Sequence, residues 1–171
     1  MAVTFHPNGK IEGINNANFD NSLSVGHVIQ TVYSHTTATA VLDYNEIWSQ
    51  LQTNITPSST SNNILVMVTL GLTSTDSAAD VGFDILRDST ALQQGSGGSA
   101  NATSGCFMNQ GSGHAFNVNL VLLDDEISTT SQVTYKIRAN ANNPRKLVIN
   151  KRGSDAALQT QSRMTLMEIK G

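Results

Sequence analysis

Apolar and polar residues alternate along most of this chain with the two-residue period of a half-buried strand. Val133, Tyr135, Ile137 and Ala139 interleave with Thr134, Lys136, Arg138 and Asn140, and Val81, Phe83 and Ile85 repeat the pattern. Successive strand side chains point to opposite faces, so such a segment lays one face on a core and turns the other to water. Runs of this kind, bounded by Gly, Asn, Asp, Ser and Pro, cover Val28 to Ser34, Ile64 to Leu72, Val81 to Arg87, Ala115 to Leu123, Gln132 to Ala139, Lys146 to Asn150 and Arg163 to Lys170. The best helical spacing, Ile47, Trp48 and Leu51 within Tyr44 to Leu51, covers only about two turns. The pattern predicts an all-β fold, an antiparallel β-sandwich that is jelly-roll-like. Trp48, the only tryptophan, is expected in its core.

Two runs break the alternation. Ile64-Leu65-Val66-Met67-Val68 and Leu120-Val121-Leu122-Leu123 are apolar on both faces. Each such strand is either covered internally on both sides or meets the core on one side and a neighbouring subunit on the other. On the second reading Ile64, Val66, Val68, Leu120 and Leu122 are the candidate subunit-interface residues. Residues 1–25 differ again: Asn8-Gly9 and Gly13 punctuate short apolar pieces, and Val3, Phe5, Ile11, Ile14 and Phe19 lack the periodicity that would bury them in a sheet. The segment reads as an extended N-terminal arm that docks these five side chains on another surface, or equally as a first strand of the domain; residues 26–171 form the sandwich.

Length and composition sharpen this. A chain of 171 residues fits one core. Charged residues make up 13%, roughly half of the usual share. The polar surface falls instead to Ser, Thr, Asn and Gln, as in Thr56-Pro57-Ser58-Ser59-Thr60-Ser61-Asn62-Asn63. A net charge of −3 gives no long-range attraction to phosphates, which argues against nucleic acid and anionic membranes as partners. No apolar window is long enough to insert in a membrane, and the first residues lack a signal peptide's basic and apolar regions, so a soluble protein not exported by the Sec route is expected. The loop Gln93 to Gly105, rich in glycine, and the stretch Gln110 to His114 place Gln94, Ser96, Asn101, Gln110 and His114 as candidate residues of an exposed contact loop.

Chemistry has little to stand on. His6, His27, His35 and His114 are scattered singly, without metal-ligand spacing. Cys106 and His114 could face each other across a hairpin, but a nucleophile and base also need an orienting group and an oxyanion hole. Asp124-Asp125-Glu126 places carboxylates at consecutive positions, which reads as a solvated turn or at most a weak calcium site. Gly95 to Gly98 lacks the Gly-Lys-Ser/Thr ending of a phosphate-binding loop. Arg145, Lys146, Lys151 and Arg152 bracket the short strand Leu147-Val148-Ile149, either as a charged edge that prevents aggregation or as a patch for an acidic partner. No catalytic residue, metal or cofactor is expected.

The order of parts resembles a module of tailed-bacteriophage virion-surface proteins, of the tail-fibre or capsid-decoration type. The similarity runs from Gly26-His27-Val28-Ile29-Gln30-Thr31-Val32 through Ile55 to Val68 and Gly82-Phe83-Asp84-Ile85-Leu86-Arg87-Asp88-Ser89-Thr90. It continues through Leu122-Leu123-Asp124-Asp125 and Val133 to Ile137, and closes on Met164-Thr165-Leu166-Met167-Glu168-Ile169. It implies a β-sandwich, usually a homotrimer, exposed on a virion assembled in the host cytoplasm. Fibre-end members follow a long shaft, and only residues 1–25 precede the module here. That shifts the expectation to a capsid decoration or cement protein that stabilises the shell, bound to a major capsid or tail protein. The alternative is a tail-fibre or tail-tip module that binds host-surface glycans.

Overall fold

The alternating segments all become strands. The structure, a computed structural model, describes residues 4–5, 11–12, 25–74, 79–93, 103–109, 114–141, 146–152, 155 and 159–171, and no helix occurs among them. In chain order the strands are β1 (Thr4–Phe5), β2 (Ile11–Glu12), β3 (Val28–Thr36), β4 (Ala40–Leu42), β5 (Ile47–Ile55), β6 (Asn63–Ser74) and β7 (Ala79–Arg87). Then come β8 (Thr90–Ala91), β9 (Gly105–Asn109), β10 (Phe116–Asp124), β11 (Val133–Ala141), β12 (Leu147–Ile149) and β13 (Ser162–Ile169).

Two antiparallel sheets face each other. The first runs β3-β13-β6-β10, extended by β12 and β4, which continue the lines of β13 and β3 alongside the far end of β6. The second runs β5-β11-β7, with β9 and β8 along the free side of β7. β3 to β4, β7 to β9 and β12 to β13 stay within one sheet; the connections β4 to β5, β5 to β6, β6 to β7, β9 to β10, β10 to β11 and β11 to β12 all cross from one sheet to the other. This interleaving is the jelly-roll path, which joins strands distant in sequence and leaves few edges unpaired. β1 and β2 pair with each other, Phe5 opposite Ile11, in a separate two-stranded sheet.

The core lies between the sheets in cross-strand rows. Val32, Leu166, Val66 and Leu122 form one row on the inner face of the first sheet, and Ser34, Met164, Val68 and Leu120 the next. Opposite them Phe83, Ile85, Tyr135, Ile137 and Ala139 of the second sheet are fully buried. Each such aliphatic or aromatic side chain contributes roughly 1.5 to 3 kcal/mol on burial, so the interior dominates the stability of the fold.

The helical spacing of Tyr44 to Leu51 is overturned, for a local reason. In the β5–β11 ladder Gln52 lies opposite Lys136, yet the next residue of β11, Ile137, lies opposite Trp48. Ser49, Gln50 and Leu51 therefore sit in a bulge. The bulge lets Trp48 and Leu51, three apart, both point inward, which imitates a helix face. Trp48 is buried as expected, and none of the described residues offers its indole N–H an acceptor.

A second irregularity joins the two halves of the first sheet. Where β13 gives way to β12 beside β6, buried Asn150 adopts the left-handed conformation at φ 58°, which Asn tolerates better than most residues. Its Nδ2 donates to the carbonyls of Thr36 and Ala38 at 3.0 Å each, and its Oδ1 accepts from Ser162 Oγ at 2.7 Å. One side chain thus satisfies backbone and hydroxyl groups where three strands break. Gly71 of β6 belongs to the same joint, because a Cβ there would sit 1.7 Å from Thr160 Oγ1.

Candidate functional site

The two outer faces of the sandwich differ in kind. On the second sheet the outward residues Gln52, Asn54, Thr134, Lys136 and Arg138 are polar, with exposed Ile47 opposite Arg138 and buried Leu86 opposite Lys136 as the apolar members. Arg138 donates from Nε and Nη2 to Asp84 Oδ2 at 3.0 and 2.6 Å, and Asp84 Oδ1 accepts from the Ser104 amide at 3.2 Å. This face is mostly polar, with an ion pair at its centre.

The outer face of the first sheet is not. Its rows read His35, Arg163, Thr69 and Asn119, then Tyr33, Thr165, Met67 and Val121, then Thr31, Met167, Leu65 and Leu123. Tyr33 is 71% and Val121 60% exposed, with Leu123 and Ile29 each at 39%. These three rows hold two basic side chains and no carboxylate. The polar groups gather at one end, where Thr69 Oγ1 donates to Asn119 Oδ1 at 2.7 Å and the Tyr33 and His35 rings stack with centroids 6.0 Å apart. The result is an apolar patch with a polar margin, the form of a contact surface.

The face also corrects the residue choice made from the sequence. Ile64, Val66, Val68 and Leu122 are buried inside the sandwich and Leu120 packs against that core. Their parity is the inward one. The two-faced runs do leave one apolar face uncovered, but it belongs to the alternate residues Leu65, Met67, Val121 and Leu123. An apolar run identifies a two-faced strand without saying which parity faces in; that depends on pairing.

The other expected positions distribute as follows. Phe5 and Ile11 lie in the β1–β2 pair, while Val3, Ile14 and Phe19 fall outside the described residues. Gln94, Ser96, Asn101, Gln110 and Arg145 fall outside them too. His114 is exposed and stacks on Phe116, centroids 6.4 Å apart. Cys106 and His114 do not share a hairpin, because β9 belongs to the second sheet and β10, which follows His114, to the first. β12 is not a charged edge: it is buried and paired on both sides, by β6 and β4. Its flanking cations are held locally, Lys146 by Asp43 at 3.0 Å and Arg152 by Asp155 at 2.5 Å.

Asp124 is a further correction. It is no solvated turn residue but a buried carboxylate at the end of β10, bound by Arg87 Nη1 at 2.5 Å and by the Tyr135 hydroxyl at 2.6 Å. Burial, reinforced by the hydrogen bond to Asp124, pushes the Tyr135 phenol well above its usual range. Asp125 and Glu126 remain exposed and, with Thr90 to Gln93 and Leu123, line a shallow groove of about 190 Å³.

Sequence reasoning also missed the buried carboxylate Glu168. It lies in the same inner row as Asp124, the order being Gln30, Glu168, Ile64 and Asp124. Gln30 Nε2, Asn62 Nδ2, and the amide and hydroxyl of Ser58 donate to it at 2.6 to 2.7 Å. Burial works to raise its pKa, but the bonds from Gln30, Asn62 and Ser58 outweigh that and hold it below the ordinary value. The only signal in the sequence was a glutamate at an apolar parity of the closing strand.

Among the described residues no group of three His, Cys, Asp or Glu is placed to hold a metal ion. Asp124 and Glu168 both have their oxygens engaged by donors, and those of Asp124 come from the opposite sheet, which suits it to join the two. Compared with known protein families and with curated proteins, the sequence matches none.

Proposed function

We propose that the chain is a structural component of a virus particle, present in several copies and acting by surface contact: a capsid decoration or cement protein of a tailed bacteriophage, associating as a homotrimer. The observation that carries this reading is the contrast between the two outer faces, one polar and one apolar with a nearly uncharged centre. A face of that kind favours a protein neighbour over a charged ligand. The jelly roll supports it at the level of fold, since viral capsid domains use this architecture, although the same fold hosts other functions. The resemblance of residues 26–170 to virion-surface modules supports it independently. Residues 1–25 would then attach the domain to a major capsid or tail protein.

Quantitative mass spectrometry of purified particles tests this. Hundreds of copies per particle are expected of a decoration protein. A handful would favour the tail-tip reading, and absence from particles would overturn both. The tail-tip reading has one observation of its own: the exposed, stacked His114 and Phe116 form a small aromatic platform of the kind that stacks on a sugar ring.

A further inference from the structure

The geometry points to the outer face of the β3-β13-β6-β10 sheet as the surface by which copies of this chain bind one another. This deepens the reading above by naming the face, yet the two can fail separately, because association is measured on the isolated chain and virion location on particles.

The argument for a second copy as occupant begins with size. Four strands about 4.8 Å apart, with three outward residues about 6.8 Å apart along each, give a face of roughly 400 Å² in projection. A neighbouring copy that covers this face buries a like area of its own, about 800 Å² together in projection and more as accessible surface, which reaches the size at which specific interfaces begin. Charge argues the same way. The three rows carry only Arg163 and His35 as basic groups, both in the end row beside Thr69 and Asn119. The remaining two rows are neutral, so two copies can meet there without burying like charges, and a charged partner would find no counter-charge. The centre also has the composition of an interface core: Tyr33, Met67, Met167, Val121 and Leu123, aromatic and methionine side chains among aliphatic ones. Tyr33 and Val121 stand at opposite ends of one row, so a neighbour must cover the full width of the sheet to shelter both.

The opposite face supplies the control. Asn54 lies on the polar outer surface of the second sheet, opposite Thr134. Sedimentation equilibrium of the full chain at about 10 µM, well above the dissociation constant of a specific interface of this size, should report two or more copies per particle. Val121→Lys and Tyr33→Ser, both at exposed positions, should each weaken association at least tenfold, while Asn54→Lys leaves it unchanged. Far-ultraviolet circular dichroism confirms that each variant folds, and Leu123→Gln replaces either one that does not. A wild-type chain that is monomeric at about 100 µM overturns the proposal. So does an oligomer that survives both Val121→Lys and Tyr33→Ser, or one that Asn54→Lys disrupts equally.

Discussion

Arg87 Nη1 donates to Asp124 Oδ1 at 2.5 Å and so ties β7 of the second sheet to β10 of the first across the mouth of the core. Tyr135, opposite Arg87 in the β11–β7 ladder, donates to the other oxygen of the same carboxylate. The three side chains form a cross-sheet clamp. Asp124 is almost wholly buried and Arg87 mostly so, which makes the clamp costly to half-remove.

Asp124→Ala should therefore cost about 3 to 5 kcal/mol, because it strands a guanidinium and a phenol without their acceptor. The double variant Arg87→Met, Asp124→Leu should recover a large part of that loss, since apolar replacement of a whole buried pair is often near neutral. Urea unfolding of the three proteins checks both statements. A single variant within about 1 kcal/mol of the parent would show that the clamp contributes little.

Acid should act through Glu168. Because hydrogen bonds hold its pKa below the ordinary value of 4.5, its contribution is fully present above that value and is lost as pH falls towards the lower folded-state value. Thermal melts between pH 7 and pH 3 should show a steeper decline for the parent than for Glu168→Gln. At pH 7 Glu168→Gln should itself be destabilised, because its amide donor must face Gln30, Ser58 and Asn62, which also donate. Identical pH profiles for the two proteins would assign the acid response elsewhere.

Trp48 separates packing from polarity. Trp48→Ala should cost about 3 to 5 kcal/mol, the range for emptying an aromatic site in a core. Trp48→Phe should cost less than about 2 kcal/mol, since it keeps most of the ring and removes an N–H that has no acceptor among the described residues. If the two variants melt together, the indole N–H contributes as much as the ring.

On the virion role proposed above, the N-terminal segment is predicted to decide attachment to the particle. A chain beginning at Ser24 should fold and self-associate like the parent yet fail to bind particles stripped of the native protein. Burial of Val3, Phe5, Ile11, Ile14 and Phe19 at roughly 1.5 to 3 kcal/mol each could supply much of the binding after ordering costs. Co-sedimentation with stripped particles measures this. Equal binding by both chains would place attachment in the sandwich, and failure of the shorter chain to fold would make the segment part of the domain.

Much of the fold was legible from alternation alone. The runs Ile64 to Leu72, Val81 to Arg87 and Gln132 to Ala139 coincide closely with β6, β7 and β11, because strand periodicity is written directly in side-chain polarity. β5 was hidden by its bulge, which shifts inward positions from a spacing of two to three. β4 and β8 are too short to carry a pattern.

The sequence by itself determined the all-β class, the single core with Trp48 inside it, and the existence of strands apolar on both faces. Only the tertiary structure decided which parity of those strands faces water, and it chose Leu65, Met67, Val121 and Leu123 rather than Ile64, Val66 and Leu122. It also decided that Asp124 and Glu168 are buried, since their partners Arg87, Tyr135, Gln30, Ser58 and Asn62 lie far off in the chain. The physical reason is shared. Polarity and period are local properties of the chain, whereas the face a residue takes and the partner it meets are set by register between strands that the jelly-roll path brings together from distant segments.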